Sequence, residues 1–74
     1  MSLEYVGLKE INGPLIVMDK VKNVSYEEIA QIKLDNGTTR LGRVVEISED
    51  KAVLQVFEGT KGLSLTNTNT KFEG

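Results

Sequence analysis

The sequence predicts an all-β domain, a small closed antiparallel barrel of six strands. Three observations predict it. Runs of β-forming residues recur at short, even intervals between turn clusters. The longest run carries a lone glycine, Gly42, in its middle, as a strand does where it bulges or turns a barrel corner. No window of a dozen residues holds helical i, i+3, i+4 spacing free of a glycine or turn cluster. Closure also suits a chain of 74 residues. A domain this small buries only about 60% of the surface its unfolded chain exposes, and free strand edges would add an aggregation hazard to a thin margin of stability.

The elements follow in order. Glu4 to Ile11 is an amphipathic first strand with Tyr5, Val6, Leu8 and Ile11 as its apolar members. Asn12-Gly13-Pro14 interrupts it, and Pro14, which has no N–H to give a ladder, belongs at the start of the next strand or on an edge. Leu15 to Met18 is continuously apolar and predicts a strand covered on both faces, by core or by a neighbouring subunit. Ser25 with Glu28 three positions on fits a capping box, although a loop entering the third strand accounts for the segment more simply. Glu28 to Leu34 alternates, with Ala30, Ile32 and Leu34 on one face. Asp35-Asn36-Gly37 is a hairpin signal, because Asn and Gly tolerate positive φ. Thr38 to Ile47 and Lys51 to Phe57 flank the polar turn Ser48-Glu49-Asp50. Two further turns, Glu58 to Gly62 and Thr66 to Asn69, precede a short closing strand, Thr70 to Phe72. Met1-Ser2-Leu3 reads as an expression scar ahead of the domain at residues 4–74.

Composition narrows the function classes. The chain has no cysteine and no histidine, which removes disulfides, thiolate chemistry, imidazole ligands and any Ser-His-Asp triad. Net charge is −2, against the basic face of a general nucleic-acid binder. Its four aromatics, Tyr5, Tyr26, Phe57 and Phe72, are scattered along the chain and form no stacking platform in sequence. No apolar run approaches the ~20 residues that span a bilayer, and the start lacks the pattern of a signal peptide.

Candidate chemistry fails on spacing. Gly59-Thr60-Lys61-Gly62 resembles a phosphate loop only in composition: a phosphate loop places four residues between its glycines and then Lys-Ser/Thr opening a helix. Glu27/Glu28, Glu49/Asp50 and the isolated Asp19 form no convergent acid–base pair and no calcium loop, and read as solvated surface. Arg40 and Arg43 fall on opposite faces of a regular strand and would meet only through a bulge at Gly42. No catalytic, cofactor-binding or metal-ligating residue is expected.

The order of the segments carries more than any one of them. Gly13-Pro14-Leu15 comes first, then Tyr26-Glu27-Glu28 and the Asn36-Gly37 hairpin. Arg43-Val44-Val45-Glu46-Ile47 and Glu49-Asp50-Lys51-Ala52 follow, and above all Gln55-Val56-Phe57-Glu58-Gly59-Thr60 with Gly62. In this order the chain resembles the N-terminal barrel of the B subunit of the A-type and V-type rotary ATPases. The resemblance implies a six-stranded barrel that sits with its neighbours in a crown holding the alternating A/B head ring. It implies the A subunit and other head and stalk subunits as partners. The implied place is peripheral, on the cytoplasmic side of a membrane complex that couples ATP to proton or sodium movement. ATP and ADP would be bound by the following domain at A–B interfaces, so no nucleotide-contacting residue carries over. The polar Thr66–Asn69 turn and short last strand then read as a domain boundary.

A barrel that holds a ring needs lateral faces rather than a cleft. Leu15, Ile16, Val17 and Met18, with apolar density beyond one barrel face, and Gly59, Thr60, Lys61 and Gly62, a loop allowing close approach, are the candidate subunit contacts. The alternative is a free-standing small barrel that binds nucleic acid or a peptide.

Overall fold

The computed structural model describes residues 3–73. It contains seven strands: β1 (Leu3–Val6), β2 (Glu10–Asn12), β3 (Leu15–Met18), β4 (Ile29–Lys33), β5 (Thr39–Ser48), β6 (Lys51–Val56) and β7 (Asn69–Phe72). They form one sheet in the order β1-β7-β4-β5-β6-β3-β2, antiparallel at every pairing. The expected scar lies outside the described residues except for Leu3, which pairs with Phe72.

Two expectations are corrected here: there are seven strands, not six, and the sheet is an open half-barrel rather than a closed one. Gly7 is the reason for both. Its φ of 89° takes the backbone out of the extended region and splits the expected Glu4–Ile11 strand. Before Gly7 the chain pairs with β7, and after it with β3. The two halves of one strand follow each other head to tail and cannot form a ladder with each other, so the hydrogen-bonded ring stays open between β1 and β2. The edges are nevertheless joined by residues 7–9, which obliges the sheet to curl. That link is held from both sides: the N–H groups of Gly7, Leu8 and Lys9 donate to the carbonyls of Thr68, Leu65 and Val17 at 2.7, 2.8 and 2.8 Å.

Alternation places the core. Ile16 and Met18, Ala30 and Ile32, Val44, Ala52, Leu54 and Val56, and Phe72 point to the concave side and pack together with Val21. Tyr5 meets Phe72 edge to face, ring centroids 5.8 Å apart at 78°. In one cross-strand row Phe72, Ala30, Gly42 and Val56 lie side by side. Small residues in its middle leave room for Ile32.

Gly42 is not the site of the expected bulge. The register shift in β5 lies between Val44 and Glu46. The extra residue, Val45, lets Val44 and Ile47 both turn toward the core although they are three positions apart. The β4–β5 turn matches its sequence signal. Gly37 N–H donates to Leu34 O at 3.0 Å and Leu34 N–H to Thr38 O at 2.8 Å. Gly37 alone in the turn takes positive φ, 91°, which makes a three-residue hairpin loop closed by a glycine. Asn36 Oδ1 accepts from Thr38 N–H and from its hydroxyl.

Candidate assembly surface

The candidate contact residues separate into core and surface. Ile16 and Met18 are buried in the chain's own core. Leu15 and Val17 lie on the convex face and are half-buried. The apolar run therefore has one face committed to the chain's own core and one partly open.

Gly59 to Gly62 forms a tight double turn. Gly59 and Gly62 have φ of 85° and 90°. Gly59 N–H donates to Val56 O at 3.0 Å, and Leu63 N–H to Thr60 O at 3.1 Å. Thr60 Oγ1 donates to Gly13 O at 2.6 Å, and Arg40 Nη1 to Gly59 O at 2.9 Å. The loop is thereby tied to the turn that feeds β3, so Leu15 and Gly59–Gly62 share one rim. Met18 lies at the far end of β3, opposite Ala52. Gly59 faces open space, whereas Gly62 sits over Leu34 and Arg40. Lys61 is exposed.

Sequence reasoning missed the residues between these. Outward positions of β4 and β5 present Ile29, Leu41 and Val45, and Phe57 follows directly after β6; all four are exposed. Phe57 N–H donates to Leu41 O at 3.0 Å, which sets the two side by side. Arg43 lies among them in a row that runs Ile29, Arg43, Gln55, Leu15 across four strands. Its Nη2 donates to Gln55 Oε1 at 3.4 Å, and Nη1 lies 3.8 Å from Glu27 Oε1. Arg40 is bound at the rim instead, so the two arginines do not form a patch. The missed signal was the odd-numbered run Leu41, Arg43, Val45, whose places beside Phe57 and Ile29 follow only once the register is known.

Tyr26 covers one side of this face. Its hydroxyl donates to Ile47 O at 3.2 Å. The turn beneath it is the loop into a strand that the simpler reading expected, and within it Ser25 N–H donates to Glu28 Oε1 at 2.9 Å as in a capping box. Tyr26, Glu27, Arg43, Val44 and Val45 line a shallow cleft of about 440 Å³. Glu27, Glu49 and Asp50 are exposed, and Asp19 lies 4.0 Å from Lys9. Among the described residues no three acidic side chains come together as a metal site would need. The geometry offers surface for contact: an apolar sector of the convex face around one guanidinium.

A curled antiparallel sheet presenting such a face defines a small β-barrel-type module. The model of the ATP synthase alpha/beta family, beta-barrel domain, matches residues 8–74, and the chain belongs to that family. It is 51% identical over its full length to the V-type ATP synthase beta chain 2 of Clostridium tetani. It is 44% identical to the A-type ATP synthase B subunit of Nitrosopumilus maritimus and 46% to that of Cenarchaeum symbiosum, over 99% of its length in each case. It spans 16% of the length of each of these relatives. The resemblance drawn from Gln55 to Thr60 and its companion segments is borne out by these matches.

Proposed function

We propose that the chain serves as the assembly barrel of a rotary ATPase B subunit, forming part of the crown that holds alternating A and B subunits in the head ring. The single observation that carries this reading is similarity to B subunits along essentially the whole chain. The surface suits the role: one sector of its convex face is apolar, and none of the described clefts is lined by two carboxylates. The barrel would work without turnover or nucleotide of its own, with ATP and ADP held by the domain that follows it in the complete subunit. Its partners would be the A subunit and other head and stalk subunits. The complex would lie against the membrane on the cytoplasmic side and couple ATP to proton or sodium movement.

Leu15, Val17 and the Gly59–Gly62 loop with Thr60 and Lys61 are the contact positions, with Ile16 and Met18 behind them as the support that fixes β3. Contacts of this kind are individually modest. They are effective because the rest of each subunit holds the barrels at high local concentration.

The test is the size of the native polypeptide that carries this segment. An antibody to the barrel should detect a membrane-associated band several times heavier than 8.2 kDa, released together with the ATPase head. A free soluble band near that mass would overturn the reading and direct assays toward nucleic-acid and peptide binding.

A further inference from the structure

We infer that the convex face centred on Arg43 is where a neighbouring subunit's barrel docks, and that the neighbour offers Arg43 a carboxylate inside a ring of apolar side chains. The inference rests on the crown reading and names its contact chemistry.

The chain's outer surface is divided. Around β1, β7 and β4, Glu4, Gln31, Lys33 and Lys71 line a polar cleft of about 380 Å³, and Val6 on β1 is exposed beside them. Around β5 and β6, Leu41 and Phe57 are 46% and 53% exposed, with Ile29 and Val45 on the other side of Arg43; the polar Glu46, Lys51 and Gln55 border them. Single exposed apolar residues such as Val6 and Leu65 are ordinary, whereas Ile29, Leu41, Val45 and Phe57 gather around one guanidinium. This face adjoins Leu15 and the Gly59 turn, so it is continuous with the rim contacts proposed above.

The guanidinium selects the occupant. It carries five N–H donors in a planar fork that matches a carboxylate. Among the described residues it has one long hydrogen bond to Gln55, Glu27 at 3.8 Å with its side chain 79% exposed, and a buried Nε with no partner. Charge-assisted N–H···O pairs close to about 2.7–2.9 Å, which neither contact approaches. An acidic side chain entering over Val45, beside Tyr26, would reach the Nη atoms. Its surroundings would be apolar, where such a pair discriminates strongly between partners. A phosphate would also suit a guanidinium. The flanking aliphatic side chains and the net charge of −2 favour a protein surface over nucleic acid.

The experiment places a photo-reactive phenylalanine analogue at position 57 or position 71 of the full-length protein within its purified head complex. Position 57 should cross-link to an adjacent head subunit and position 71 should not. Arg43→Ala and the length-preserving Arg43→Gln should each lower the yield from position 57 about tenfold, with the circular dichroism of the protein unchanged. Cross-linking from 71 but not 57, or from 57 only into the same polypeptide or into nucleic acid, would overturn the inference while leaving the crown reading standing. Yields from 57 indifferent to both arginine variants would overturn the carboxylate contact. An absence of cross-links to any head subunit from either position would overturn the crown reading itself.

Discussion

The Cδ1 methyl of Ile32 occupies the space that a side chain at position 42 would need. A Cβ built on Gly42 would lie 2.9 Å from that methyl and 3.1 Å from the Gln55 carbonyl oxygen. Ile32 is fully buried, so the methyl has little freedom to withdraw. Gly42→Ala should therefore destabilise the fold by about 1–3 kcal/mol, measured by urea unfolding. Combining it with Ile32→Val should cost less than the sum of the two single changes, because Val lacks the obstructing methyl. Additive costs would show that the glycine is required for some other reason.

Gly7 carries the break between β1 and β2. Gly7→Ala meets both a φ of 89° and a Cβ contact of 3.1 Å with the Leu65 carbonyl oxygen. Gly37→Ala meets a similar φ, 91°, with open space around the new methyl. Both should destabilise by about 1–3 kcal/mol, with Gly7 the larger, in parallel denaturation curves. Amide exchange should also quicken at Leu8, whose N–H is bound to Leu65 O.

Thr60 fastens the glycine loop to the rim. Thr60→Val keeps the shape and removes the hydroxyl that donates to Gly13 O. The loss should be about 1 kcal/mol, with faster amide exchange through 59–63 and little change in the β4–β5 hairpin. Exchange rising equally everywhere would mean that the loop is not a separate docking unit.

Lys61 is exposed at the tip of that loop. Lys61→Glu should change stability by no more than about 0.5 kcal/mol and weaken assembly of full-length A and B subunits into a ring. Unchanged assembly would remove the loop from the contact.

Much of the fold was legible because its signals are local. Asn36-Gly37, Pro14 before β3, and the alternation through Ala30 and Ile32 each fix their element within a few residues. Gly7 was not legible. It stands inside an apolar stretch with no turn residue beside it, and its conformation is set by carbonyls of Leu65 and Thr68, distant in sequence. The same limit applied to the surface. The Leu15–Met18 run is visible as apolar, but only the pleat shows that Ile16 and Met18 turn inward. Leu41, Arg43 and Phe57 become neighbours only through the β5–β6 register, which the bulge at Val45 shifts by one residue along its length.

If this barrel holds a ring together, removing it should let the ring fall apart. The most direct measurement is native mass spectrometry of head rings assembled from full-length A and B subunits, with and without residues 1–74 of the B chain. Deletion should lower ring yield at least about tenfold while each remaining subunit stays folded. Rings forming in equal yield and with equal resistance to dilution would contradict the role in assembly.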